Sequence, residues 1–180
     1  MKLSLSLFLL LACPAMADRK EDLVLAMERS GSHEYKDERR KVELDGCRMT
    51  TYRWRNLPEH GWVLWTSFQF QMDDARLDED KRFPGKKYAY TRLEEGPPEV
   101  GFAFYSLTLR EGAFARQERS VLREPTAETQ PSPRGDGTTH YYQQLDSILI
   151  SLEGPGVEEK AITFTRSYDD YVNEYCTSSS

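Results

Sequence analysis

Few residues in this chain are spaced for chemistry. The three histidines, His33, His60 and His140, stand far apart, and no two lie at a metal-ligand spacing. They read as solvent-exposed loop residues, His60 inside Pro58-Glu59-His60-Gly61 and His140 just after a Gly-rich stretch. No Gly-x-Ser-x-Gly elbow, His-Glu-x-x-His pair or phosphate-cradling glycine loop occurs. Catalytic residues therefore stay unassigned, and neither metal nor cofactor is expected. The acidic run Asp73, Asp74, Asp78, Glu79, Asp80 has Arg82 at the fifth position of a loop beginning at Asp78 and lacks the glycine that a calcium loop needs at its sixth. It reads as a solvated surface paired with Arg76, Lys81 and Arg82. Arg134-Gly135-Asp136 matches an adhesion tripeptide, but three residues in a loop carry no weight.

Aromatic side chains hold more promise. Tyr52, Trp54 and Trp65 are expected on one face of a sheet, beside the Pro58–His60 turn, where they could stack on a sugar ring or a peptide. Such rings also fill cores, so an exposed patch rimmed by Arg53, Arg55 and Glu59 is what would mark a binding site. The candidate binding residues are Tyr52, Trp54 and Trp65.

The elements that position them run from Lys41 to Met72. Asp45-Gly46 signals a two-residue hairpin of type I′. With that turn Leu44 faces Cys47, Glu43 faces Arg48 and Val42 faces Met49, all favourable cross-strand neighbours. The next strand alternates strictly, with Trp62, Leu64, Phe68, Phe70 and Met72 on one face. Further strands are expected over 87–93, 100–110, 141–152 and 161–165. The segment 113–123 fits helix or strand, and a polar turn is expected over 73–82. A helix is expected over 18–30. A second helix, starting at Ser167-Tyr168-Asp169-Asp170 in the manner of a capping box, ends the chain.

At the N-terminus, Lys2, the apolar run Leu3–Ala12 and Ala15-Met16-Ala17 spell a secretory signal peptide cleaved after Ala17. Leu10-Leu11-Ala12-Cys13 also resembles a bacterial lipobox, which would anchor the chain through Cys13. Removing 1–17 leaves Cys47 and Cys176, and in an oxidising compartment the two are expected to form a disulfide. So long a loop could stabilise the fold by about 4–5 kcal/mol in the chain-entropy model.

The net charge is −6, and loss of Lys2 makes the mature chain more acidic still. That argues against nucleic-acid binding and against a polybasic membrane role. No later segment is apolar for long enough to span a bilayer. The expected architecture is one mainly β domain over 18–180, an antiparallel sheet folded as a sandwich or open barrel. Short N- and C-terminal helices complete it, with a flexible loop at 124–138 and an α+β arrangement as the alternative. The expected function is that of a periplasmic or secreted, non-catalytic binding or accessory protein for a small molecule, glycan or protein. A hydrolase using His60 or His140 with carboxylates, or a lipid-anchored structural protein, are the alternatives.

Overall fold

The hairpin at the centre of the chain forms, with its turn one residue further on. In the computed structural model, which describes residues 14–93, 100–122, 124–132 and 134–176, strand β2 (Glu38–Asp45) pairs with β3 (Arg48–Leu57) so that Asp45 faces Arg48 and Leu44 faces Met49. Gly46 and Cys47 are therefore the turn residues. Positive φ is needed only at Gly46 (+59°), the first of the two, as a type II′ turn requires. The slip moves each strand by one residue, two in pairing register, so each side chain keeps its face. The expected Leu44–Cys47 pairing is replaced, and Cys47 is freed for the turn.

The chain opens with α1 (Pro14–Gly31), followed by β1 (His33–Tyr35), β2 and β3. Next come β4 (Gly61–Gln71), a single 3-10 turn (Met72–Asp74), β5 (Ala75–Leu77), β6 (Ala89–Arg92) and β7 (Val100–Leu109). The remainder is β8 (Ala115–Val121), β9 (Gln130–Pro131), β10 (Thr139–Leu145), β11 (Ser147–Pro155) and α2 (Val157–Tyr171), extended by a π-helical turn over Val172–Cys176. The fold is mainly β, 49% strand and 25% helix, and neither antiparallel sheet closes into a barrel. One sheet has seven strands in the order β1-β2-β3-β4-β8-β10-β9. The other runs β11-β7-β5, with β6 also on β7. The apolar core of the signal peptide and Cys13 lie outside the described residues.

Further sequence readings change here, among them the polar turn over 73–82, of which Ala75–Leu77 forms β5 with Ala75 and Leu77 buried. The segment 161–165 is helix, because Val157, Ala161, Phe164, Tyr168 and Tyr171 recur at helical spacing and all five are buried. Helix α2 thus begins ten residues before the expected capping box. The expected strand over 141–152 breaks at Asp146, where the chain leaves one sheet for the other; the Asp146 carbonyl accepts from Leu109 N–H at 2.8 Å. The loop at 124–138 contributes β9 to the sheet and buries Thr129 and Thr138. The ambiguous 113–123 segment resolves as strand β8.

Helix α2 holds the molecule together. Phe164 stacks on Tyr105 of β7 with ring centroids 4.6 Å apart, and one contiguous buried cluster joins α1, both sheets and α2. Cys176 is disulfide-bonded to Cys47, with Cα atoms 5.5 Å apart, inside the range such a bond accepts. The Tyr171 hydroxyl donates to the Gly46 carbonyl at 3.1 Å, so helix and hairpin turn are tied twice.

Candidate functional site

Strand β3 carries Tyr52 and Trp54 two residues apart, hence on one face. Their rings stack, with centroids 5.4 Å apart and planes inclined by 23°, and both are half-buried. On β2, Lys41 lies opposite Tyr52 and Arg39 opposite Trp54. Two rings and two cations therefore form a single exposed strip. Burial, then the Glu43 carboxylate beside it, pushes the Tyr52 phenol above its ordinary range, so it remains a neutral donor.

Trp65 is placed differently. Arg53 pairs with Thr66 but Trp54 pairs with Leu64, which leaves Trp65 as the extra residue of a β-bulge. Its ring lies under the Arg55 guanidinium, 5.5 Å from the centroid, and Arg55 points to the opposite side of β3 from Trp54. Beyond the bulge the alternation of β4 is inverted, so Leu64 shares the face of Trp54 and Val63 that of Arg55; both are buried. Trp62 comes under Arg39, with guanidinium to ring centroid 4.4 Å. The structure thus brings Tyr52 and Trp54 together, sets Trp65 with Arg55, and adds Arg39, Lys41 and Trp62 to the strip. Strict alternation in sequence gives no warning of a bulge, so Trp62 was not recoverable from pattern alone.

Next to Trp54 is a depression of about 650 Å³ between β2, the start of β1 and α2. The volume is that of a small-ligand pocket. Lys160 lies on its wall, donating from Nζ to the Ser32 carbonyl at 3.0 Å and to His33 Nδ1 at 3.2 Å. His33 Nε2 is 2.5 Å from the Glu153 carbonyl, so Nε2 carries the proton and Nδ1 is the acceptor. Burial, reinforced by the Lys160 charge, holds the His33 imidazole below its ordinary pKa; burial alone lowers Lys160. Gly154, at φ +134°, lets the imidazole lie against β11, since a Cβ there would come within 2.6 Å of Nε2.

His33 is therefore not the exposed loop residue expected from sequence, and nor is His140, which is only 6% exposed. His140 faces Ser120 across the β8–β10 pair, its Nδ1 has no partner among the described residues, and its ring meets Tyr142 edge-on at 5.2 Å. His60 is exposed beside Gly137. Among the described residues, none of the three has a carboxylate as a hydrogen-bond or ion-pair partner. No cluster of three His, Cys, Asp or Glu residues among them could hold a metal ion.

A larger depression, about 780 Å³, lies over β6 and β7. Its acids are committed: Asp78 accepts from Ser106 and Thr108 at 3.0 and 2.9 Å, and Asp80 pairs with Arg82 at 3.0 Å. The strip around Tyr52 and Trp54 is the better candidate because its rings are presented to solvent with cations beside them. Comparison with protein-family models, curated proteins and solved structures returns no match.

Proposed function

We propose that this is an extracytoplasmic, non-catalytic binding protein that presents the Tyr52–Trp54 strip to a glycan. The near-parallel pair of half-buried rings, with Lys41 and Arg39 directly opposite on the neighbouring strand, carries this reading. Aromatic faces are electron-rich, and the C–H groups on one side of a pyranose are slightly positive and flat enough to lie on them. Two rings on a rigid sheet are already ordered, so little entropy is lost when a ligand docks. The Cys47–Cys176 disulfide is compatible with an oxidising compartment outside the cytoplasm. No helix among the described residues is long and apolar enough to cross a membrane.

The test is an oligosaccharide array probed with the oxidised protein and with Trp54→Ala and Trp65→Ala. Trp54→Ala should lose about two- to tenfold in affinity, as about 0.5–1.5 kcal/mol of aromatic contact implies. Trp65→Ala should bind nearly as the parent does. A folded Trp54→Ala protein that binds normally removes the strip from consideration.

A further inference from the structure

We propose that the depression beside Trp54 is a carboxylate subsite centred on the Lys160 ammonium, which makes an acidic, uronate-bearing sugar the ligand class. The sugar part of this inference rests on the reading of the Tyr52–Trp54 strip; the anion part stands on the pocket itself.

Each of the other cations lining the depression already has a carboxylate. Arg39 holds Glu34 at 2.7 Å, Arg40 holds Glu38 at 2.6 Å and Lys41 holds Glu43 at 2.5 Å. Lys160 has none among the described residues. Its two partners, the Ser32 carbonyl and His33 Nδ1, are neutral acceptors. An ammonium has three donors, so one is uncommitted. Glu158 and Glu159 are next to it in sequence, yet neither forms an ion pair with it.

The position is costly for a cation. Lys160 is half-buried, where an unpaired charge is poorly solvated. It also stands in the first turn or so of α2, at the positive end of the helix dipole, where an anion is favoured. A carboxylate accepting from Nζ would remove both penalties. Trp54 also lines the depression, from the face of β2 and β3 opposite to the one that carries His33 and Arg40. Arg39, opposite Trp54, is already neutralised by Glu34, which leaves Lys160 as the unpaired charge of the depression. On a chain of net charge −6, this single uncompensated ammonium favours an anionic group. Trp54 and Lys160 both line the depression, so a uronate that touches both is the ligand the test looks for.

The experiment is an NMR titration of the oxidised protein with D-glucuronate, D-glucose and acetate, following the Trp54 indole and the His33 ring. D-glucuronate should shift both signals and bind at least tenfold more tightly than D-glucose. Lys160→Gln should reduce D-glucuronate to the affinity of D-glucose, and Lys160→Arg, which retains the charge, should restore the preference. Equal binding of the two sugars by the parent overturns the proposal. So does undiminished D-glucuronate binding by Lys160→Gln, or no response to any probe. If acetate shifts His33 equally in the parent and in Trp54→Ala while neither sugar moves Trp54, the anion site stands and the strip reading fails. If D-glucose moves Trp54 while neither anion moves His33, the strip stands and the carboxylate subsite falls.

Discussion

Two buried tyrosines make opposite use of the same hydroxyl. Tyr168 lies within reach of two carbonyls, Met72 at 3.2 Å and Ala75 at 3.0 Å, on either side of the turn that carries the chain from one sheet to the other. Tyr105 is 1% exposed, packs its ring on Phe164, and has no partner for its hydroxyl among the described residues. Burial pushes both phenols far above their ordinary range, so each is neutral at any physiological pH. Removing a satisfied hydroxyl leaves buried acceptors unpaired, whereas removing an unsatisfied one relieves a desolvation cost. Tyr168→Phe should therefore lower stability by about 1–2 kcal/mol, and Tyr105→Phe should leave it unchanged or raise it by up to about 1 kcal/mol. Urea denaturation of the two variants decides this, and an equal loss in both would show that the Tyr105 hydroxyl has a partner after all. Neither role is legible in sequence, because a tyrosine in an apolar run says nothing about what stands over its hydroxyl.

Between elements, the tie that matters most is α2 to the β2–β3 turn. Cys47 and Cys176 are separated by 129 positions, so their disulfide closes most of the chain into one loop. Replacing both by serine should cost about 2–5 kcal/mol, read as a lower urea midpoint, and reductant should lower the parent's midpoint in the same way. A parent indifferent to reductant would mean that the two thiols are not joined in the protein as isolated. This pairing could be anticipated from cysteine count and compartment alone, without any knowledge of the fold. The strands over 41–72 were legible too, since Phe68 and Phe70 alternate with Ser67, Gln69 and Gln71 and both pack on the core. Helix α2 was half hidden: Ile162 and Phe164 alternate like a strand, and only the longer period through Val157, Ala161, Phe164 and Tyr168 shows the helix. Of the candidate site, Tyr52 and Trp54 follow from alternation, but the bulge at Trp65 breaks it without a glycine or proline to mark the place. The pocket at Lys160 was beyond pattern reading, because Ser32, Trp54 and Lys160 come from three distant segments and meet only through packing.

For the molecule as a whole, the two sheets meet where β1 crosses β11, and His33 is the side chain at the crossing. Its Nε2–H donates to the Glu153 carbonyl on β11, and its Nδ1 accepts from Lys160 on α2. Arg40 and Glu38 on β2 also face it, the first opposing and the second favouring a positive imidazole. Close by, the Arg40 guanidinium reaches Ser151 of β11 at 2.9 Å while its Nε donates to Glu38, and Arg53 binds the other oxygen of that carboxylate. Protonation of His33 would set an N–H on Nδ1 against the Lys160 ammonium and lose the contact. The folded-state pKa is below the ordinary value near 6.5, so the unfolded chain binds the proton more readily. The contribution of His33 is then fully present above about pH 6.5 and is lost as pH falls through the folded-state pKa. Because one buried cluster spans both sheets and both helices, that loss should be felt everywhere at once. All three tryptophans lie on β3 and β4, so their fluorescence reports the seven-stranded sheet, whereas circular dichroism at helical wavelengths reports α1 and α2. The two melting curves should coincide and move down together as pH falls below 6.5. In His33→Gln, whose amide can both donate to Glu153 and accept from Lys160 without titrating, they should stay nearly level over the same range. Curves that separate, or a variant as pH-sensitive as the parent, would place the junction of the sheets elsewhere.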